Sequence, residues 1–417
     1  QQAIERGVEL DAVTGTPPAT AAPRPRAPLP RPARPATVTV GVARPGLGTA
    51  LPQLVLTAHG YTPAGKPVLA QAAPAGYDPA IIRSYLGLSG DGSGQTVAVL
   101  DAYADPGIAA DVNAFSAQFG LPRVCGTPGA GAGCFGFTAS APRGTAGVDP
   151  GWALETSLDV EWIHAVAPRA TVRLVQARDA SFGSLFAAVD AAAALHPDAI
   201  SLSWGYPGEF SDETYYDGHC ALARSVCVAA SGDNGHPGSY PAYNPRAVAV
   251  GGTTLQLTPG GTVSSELAWA DSGGGQSYFE PKPAAQQGVT PGTRRGIPDV
   301  SFNADPNTGV AVYDSTPYQG QAGWFQVGGT SVGAPVWTAI LASADRLRAA
   351  AGKGRLTSAA GQAARAVYAA TPALGDITAG PPDGICPHEC LAGPGYDFVT
   401  GLGSPRTAID AAVAAAP

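Results

Sequence analysis

From about residue 77 onward, short apolar runs alternate with longer stretches of helical periodicity, and that alternation limits the architectures open to the chain. The runs are Thr96–Leu100, Ala170–Val175, Ala199–Ser203, Val226–Ala230 and Ala247–Val250. Short runs that are apolar at successive positions suit strands buried on both faces, as in parallel sheets. Helical patterns fall between them, at roughly 106–119, 152–166, 182–195 and 213–224, and a further one opens near Ser331 and runs to about Ala350. Strand–helix–strand repetition predicts an α/β fold in three layers, a central and mostly parallel sheet flanked by helices. Functional residues in such sheets gather at the carboxyl ends of the strands. Asp101, Trp204 and Asp233 each stand just past a predicted strand end.

The beginning of the chain has a different texture. Between Pro17 and Pro45, prolines recur every few residues among alanines and arginines, which excludes helix and central strand there. Residues 1–76 therefore read as a Pro-rich N-terminal extension, extended or disordered, and residues 77–417 as the folded domain. Methionine is absent, position 1 included, as expected of a chain that starts after a cut. Charged residues make up 13% of the chain with a net charge of −8, and no basic stripe marks a nucleic-acid binder. No apolar run approaches the roughly 18 residues of a membrane span. A chain with few carboxylates gains little positive charge in acid, which hints at acid tolerance.

Six cysteines fall in three close pairs: Cys125 with Cys134, Cys220 with Cys227, and Cys386 with Cys390. Even count and local spacing predict three small-loop disulfides and an oxidising compartment, with incidental free thiols as the alternative. Cys386, His388 and Cys390 also suggest zinc, but three ligands in one loop without a partner cluster make a poor site.

The strongest local signal is Gly328-Gly329-Thr330-Ser331-Val332-Gly333-Ala334-Pro335 ahead of an apolar helix. A serine at a helix start is an ordinary cap. A proline four residues further, inside the helix, is costly and favours a nucleophile. A nucleophilic serine needs a base, normally histidine held by a carboxylate, yet none of the six histidines stands in a His-Gly-Thr context. Glu155 and Asp159 offer another base. Four residues apart on a predicted helix, they lie on one face; if buried together they share a proton and one pKa rises. A solvated helix face is the plain alternative, opposed by the apolar flanks Trp152, Leu154, Leu158, Val160 and Ile163. Asp233, in Ser231-Gly232-Asp233-Asn234-Gly235, is either a turn residue or a protonated donor to a developing oxyanion.

Taken together, these pieces resemble the sedolisin (serine-carboxyl peptidase) family, relatives of subtilisin in which glutamate replaces histidine. The likeness runs from about Tyr77 to the end and is carried by several stretches in order. These are Tyr77-Asp78-Pro79-Ala80-Ile81-Ile82-Arg83, Glu155 and Asp159 with Ala167-Pro168, Ser201-Leu202-Ser203-Trp204-Gly205, Ser231-Gly232-Asp233, Pro298-Asp299-Val300-Ser301 and Gly328-Gly329-Thr330-Ser331. The resemblance implies a subtilisin-like fold and a secreted, extracellular endopeptidase that acts in acid on protein or peptide substrates as a monomer. Ser331 would be the nucleophile, Glu155 its general base, Asp159 the partner that orients Glu155, and Asp233 the oxyanion donor beside the Ser331 N–H. Asp101 and Trp204 would support that set from behind.

The resemblance also implies one structural calcium ion, held by the side chains of Asp376 and Asp397 and the carbonyls of Ile377, Gly393 and Gly395. Hard oxygen donors of that kind suit calcium. Sedolisins are made with a folded propeptide of well over a hundred residues, for which the extension here is too short. Residues 1–76 are then either the tail of a propeptide with its linker or a peculiarity of this chain, and if attached they could cross the substrate cleft. Two rival readings remain at this point: a catalytically inactive binding protein of the same fold, and a conventional subtilase with His164 as base.

Overall fold

The computed structural model describes residues 36–40, 46–380, 391–406 and 408–417. Its central sheet runs, from one edge to the other, Val263–Ala268, Ala247–Leu257, Val226–Ala230, Ala199–Leu202, Thr96–Ala102, Thr171–Ala177 and Phe137–Ser140, and Val300–Asn303 also pairs with Ala247–Leu257. All pairings are parallel except the hairpin at the first edge. All five strands read from the sequence are present, with ends shifted by a few residues.

Alternate residues of each strand feed two separate cores. Val97, Val99, Val226, Val228, Val248 and Val250 join one apolar cluster with the helices Pro150–Val166 and Thr330–Ala350. Ala98, Leu100, Cys227, Ala229, Ala247 and Ala249 join the other, with Phe182, Leu185, Phe186 and Val189 of the helix Phe182–Ala193. Period-two alternation with both faces covered produces the three layers. The three-layer α/β architecture with a mostly parallel central sheet is as expected.

Two helices matter for function. Asp149 caps the first, accepting from the N–H groups of Gly151 and Trp152, and Pro150 sits at its first position. Every residue of that helix from Gly151 to Val166 is buried, so its polar groups have no solvated side. The second follows Gly329, whose φ of 98° only glycine adopts without strain, and carries Pro335 inside. The predicted helix at 213–224 is instead a 3-10 turn, Glu213–Cys220. Gly218 lies within it, and the Glu213 carboxylate accepts from the Phe210 N–H at 3.0 Å, holding the chain in a tighter turn.

The N-terminal stretch departs most from expectation. Contacts group Pro35–Pro417 as one unit, so the folded domain starts well before residue 77. Thr37–Thr39, Val55–Thr57 and Ala70–Gln71 join Val310–Tyr318 and Gln321–Gly328 in a second sheet. Leu51–Pro52 pairs with Trp204–Pro207. The physical reason lies in composition: past Pro45 prolines thin out, and Leu51, Leu54, Val55, Leu56 and Leu69 supply apolar surface that only a folded partner can cover. Leu54, Leu56 and Leu69 have no exposed surface.

Cys125–Cys134 and Cys220–Cys227 form two of the three expected disulfides. The third pair, Cys386 with Cys390, and the zinc reading with His388 lie outside the described residues. Among the described residues no helix is long and apolar enough to cross a membrane.

Burial of carboxylates gives the fold a pH dependence. Beyond the candidate site, Asp105, Asp111, Glu161 and Asp314 are all nearly inaccessible and lie close to one another. Desolvation first, with repulsion between the carboxylates adding to it, pushes Asp105 up to about 7 and Asp314 up to about 8 and raises Glu161, while desolvation alone raises Asp111 against its hydrogen bonds from Ser315. Raised folded-state pKa values mean that the unfolded chain ionises first. Stability is then full below the ordinary carboxylate range and is lost as pH rises toward 8. Tm should therefore fall by on the order of 10 °C between pH 4 and pH 8. A calorimetric profile that is flat or rising over that window would contradict this account.

Candidate active site

The three-layer packing brings Ser331, Glu155, Asp159, Asp101 and Asp233 together at the carboxyl end of the parallel sheet. Glu155 and Asp159 project from the buried helix Pro150–Val166. Asp101 is the second-last residue of Thr96–Ala102, and Asp233 follows Val226–Ala230. Ser331 is the second residue of the helix Thr330–Ala350. Four of these five have no exposed surface, and Asp233 is 6% exposed.

Electrostatics couples the carboxyl groups. Burial is the main cause that raises Glu155 well above the carboxylate range, followed by the charges of Asp159 and Asp101, while the Ser331 hydroxyl pulls it the other way. Burial raises Asp159 well above its usual range too, with Asp101 adding to it and the hydroxyls of Ser203 and Ser201 opposing. Asp101 is pushed up to about 7 by burial, partly offset by the Thr156 hydroxyl. Three acids in one dry volume cannot all ionise, so protons are retained and shared.

Hydrogen bonds fix part of the set and leave part free. The Ser203 hydroxyl donates to Asp159 Oδ1 at 2.6 Å. Ser331 Oγ donates to the Ser203 carbonyl at 3.1 Å in this conformation. Both Glu155 oxygens, both Asp101 oxygens and Asp159 Oδ2 are buried without an aligned hydrogen bond. Buried polar atoms left open in this way are costly.

Asp233 is held differently. Its Oδ1 accepts from both the N–H and the hydroxyl of Thr330, each at 2.7 Å, and its Oδ2 stays unbonded. Burial pushes its pKa up to about 8, so at acidic and neutral pH it carries a proton. With Oδ1 engaged as an acceptor, that proton belongs on Oδ2, which is free to donate.

Gln53 completes the site from the N-terminal segment. Its N–H donates to the Ser203 carbonyl at 3.2 Å, and its carbonyl accepts from the Ser331 N–H at 3.0 Å. Its side-chain Oε1 accepts from the Asp233 N–H at 3.1 Å, and Nε2 donates to the Gly205 carbonyl at 3.2 Å. Gln53, Ser203 and Thr330 are the residues that sequence reasoning missed. The latter two stood inside stretches quoted for the resemblance, whereas Gln53 was signalled only by the apolar run around it.

Other expected residues take less direct positions. Trp204 is wholly buried, donates from Nε1 to the Leu100 carbonyl at 2.9 Å and packs against Phe182 and Phe186. It braces the floor of the site. His164 faces away: Nε2 pairs with the Pro122 carbonyl at 2.8 Å, the ring stacks on Phe135, and burial lowers its pKa to about 4. Those contacts oppose the reading of His164 as a base. Asp299 is structural, bound by the buried Arg295 guanidinium through two contacts of 2.6 and 2.7 Å.

The residues expected to hold calcium converge on one loop. The Gly395 N–H donates to Asp376 Oδ2 at 2.8 Å, and the Gly393 N–H donates to Asp397 Oδ2 at 3.2 Å. Asp397 also accepts from the N–H groups of Val399 and Thr400, and burial raises its pKa. Ile377 is buried beside Val399. An oxygen-only donor set on a glycine-rich loop fits a hard cation. Among the described residues no group of three or more His, Cys, Asp or Glu side chains could hold a metal, so an ion here would depend largely on backbone carbonyls.

Comparison with known proteins bears on the family and the fold. The subtilase family model matches residues 138–371. Kumamolisin of Bacillus sp. (strain MN-32) is 31% identical over 381 residues, spanning 80% of this chain and 63% of its own length. Sedolisin of Pseudomonas sp. (strain 101) is 37% identical over 182 residues, 40% of this chain and 28% of its own length. Among solved structures, Pseudomonas sedolisin (serine-carboxyl proteinase) complexed with pseudo-iodotyrostatin aligns with a TM-score of 0.67 at 24% identity, covering 82% of this chain and 98% of that one. The chain thus belongs to the subtilase family, in its sedolisin branch. It spans less than two thirds of the length of these curated relatives.

Uncompensated carboxylates at the site cost stability. Glu155→Gln removes a buried ionisable group without changing shape, so it should stabilise the fold at pH 7 by about 1–3 kcal/mol. The gain should vanish near pH 4, where Glu155 is protonated in the folded and largely in the unfolded chain. Paired melting curves at the two pH values check this.

Proposed function

We propose that the chain is a secreted endopeptidase that works in acid through a serine acyl-enzyme. The observation that carries the reading is a buried group of carboxyls, Glu155, Asp159 and Asp101, whose free oxygens lie beside Ser331, with the unbonded Oδ2 of buried Asp233 at the start of the same helix. Ser331 Oγ attacks the substrate carbonyl and passes its proton to Glu155, which hands the proton it already shares on to Asp159 in the same step, so the buried charge stays low. The Ser331 N–H and Asp233 Oδ2–H donate to the oxyanion as it forms. Glu155 returns the proton to the leaving amine, and water then hydrolyses the ester by the same route in reverse. Calcium, held by Asp376, Asp397 and the carbonyls of Ile377, Gly393 and Gly395, would pin the C-terminal loop and takes no part in the chemistry.

The two disulfides favour an oxidising compartment, and protein or peptide substrates, with the chain's own propeptide, are the partners this reading implies. Every position needed for chemistry is filled, which argues against an inactive binding protein.

The sign of the pH dependence follows from Asp233. Donation to the oxyanion requires its proton, so activity falls as pH rises and is lost through about 8 at the latest. On a denatured protein substrate the pH–rate profile should lie on the acid side. Ser331→Ala and Glu155→Ala should each lower kcat by at least about 1,000-fold, because members of such a set act as a unit. A neutral optimum indifferent to Glu155→Ala would sink the serine-carboxyl reading.

The calcium proposal has its own readout. Adding calcium to chelator-treated protein should raise Tm by several degrees, about 2–4 kcal/mol when the ion is well above its Kd. Asp397→Asn should abolish that rise.

A further inference from the structure

The segment Leu51–Leu56 enters the site as an extended strand, and its pairing on both sides fixes which peptide bond meets the serine. On the N-terminal side, Leu51 and Pro52 pair antiparallel with Gly205 and Trp204, and the Gln53 N–H donates to Ser203 at 3.2 Å. On the C-terminal side, Val55 and Leu56 pair antiparallel with Gly328 and Val327. Between these two pairings the chain crosses the start of the nucleophile helix, where the Gln53 carbonyl accepts from the Ser331 N–H at 3.0 Å.

The open oxygen of Asp233 is aimed at the same place. A Cβ added at Gly329 would collide with the Gln53 carbonyl, with Asp233 Oδ2 and with Leu54 Cα. Carbonyl and acid thus crowd one spot, which the missing side chain of Gly329 leaves open. Gln53 is 2% exposed, and its amide is read at both ends, by the Asp233 N–H and the Gly205 carbonyl. A strand added to the cleft by main-chain bonds, with one side chain read in a pocket, is how extended peptides are recognised.

We propose that the peptide bond joining Gln53 to Leu54 is a processing site cut by the chain's own Ser331, with the Gln53 amide as the recognised group on the acyl side. The proposal rests on the peptidase reading above. Ser331 Oγ bonds to the Gln53 carbonyl carbon as its proton passes to Glu155. The carbon–nitrogen bond to Leu54 then breaks, and Leu54 leaves as an amine with the proton from Glu155. Water hydrolyses the ester, leaving a carboxylate on Gln53 and restoring the Ser331 hydroxyl. No oxidant, metal or further reactant is needed.

The same register bears on the kind of bond cut. The strand continues upstream of Leu51: the Ala50 N–H donates to the Ala180 carbonyl at 2.8 Å, and Thr49 bridges antiparallel to Ser181. Contacts on the acyl side therefore extend beyond three residues. A cleft that runs on in this way accepts internal bonds, whereas an enzyme releasing tripeptides must end its cleft at a third residue.

The test uses the full chain, incubated at acidic pH and read by intact mass and N-terminal sequencing, with a denatured protein substrate assayed in parallel. The expected result is a new N-terminus at Leu54 and a fragment ending in Gln53, both absent from Ser331→Ala. Gln53→Ala should slow that cut about tenfold or more, the effect of two lost hydrogen bonds. If the added substrate is hydrolysed while the bond after Gln53 stays whole, or only other bonds of the chain are cut, the processing site is wrong and the peptidase reading stands. A cut at Leu54 in Ser331→Ala would overturn it as well. If neither the chain nor the added substrate is hydrolysed at any pH, the peptidase reading itself falls and takes the processing site with it.

Discussion

Charge in a place without water is the constraint around which this molecule is arranged. The helix Pro150–Val166 lies beside the helix Thr330–Ala350 on one face of the sheet and has no solvated side, yet it carries Glu155, Asp159 and Glu161. An ionised carboxylate there is far more costly than in water, and among the described residues no cation acts on Glu155 or Asp159 to neutralise it. The folded state resolves the conflict by keeping protons. Proton retention in turn sets the chemistry available, because a carboxyl held neutral can donate to an oxyanion and one poised to lose its proton can serve as a base. On the proposed reading, function in acid and stability in acid are two expressions of one arrangement.

That arrangement depends on the sheet for its precision. Asp101 and Asp233 sit at the ends of two strands in register with Ala199–Leu202, so the backbone hydrogen-bond ladder sets their separation. Ser331 is placed by Gly329, whose backbone only glycine adopts comfortably, and by the Thr330 contacts to Asp233 that tie the helix start to the turn after Val226–Ala230. Glu155 Oε1 and Oε2 and Asp233 Oδ2 are left without a hydrogen-bond partner on this scaffold.

How much of this could be read from the sequence follows from the range of the interactions involved. Strand–helix alternation is a local pattern, so the sheet and its two covering layers were legible. The i, i+4 spacing of Glu155 and Asp159 and the glycines before Ser331 were legible for the same reason. Burial of the whole Pro150–Val166 helix was only half legible: Leu154, Leu158 and Ile163 showed an apolar side, but nothing local told that Glu161 and His164 would be covered too. Leu51–Pro52 and Val55–Thr57 were misread because the prolines upstream dominated the composition. Their partners, Gly205 and Gly328, lie more than a hundred residues away in the chain, and pairings at such separation leave no trace in a single sequence.

The tether between Gln53 and the rest of the chain has a consequence for anything that seeks the cleft from outside. A strand joined to its own binding site competes at an effective concentration of roughly millimolar or more, whatever the amount of protein in solution. An external peptide or inhibitor then meets only the fraction of molecules whose strand has lifted away, and its apparent affinity is weakened by that fraction. Two preparations identical in sequence but different in the state of this strand would yield different binding constants for the same ligand. The occupancy of the strand, more than the pocket beneath it, then sets the affinity that is measured.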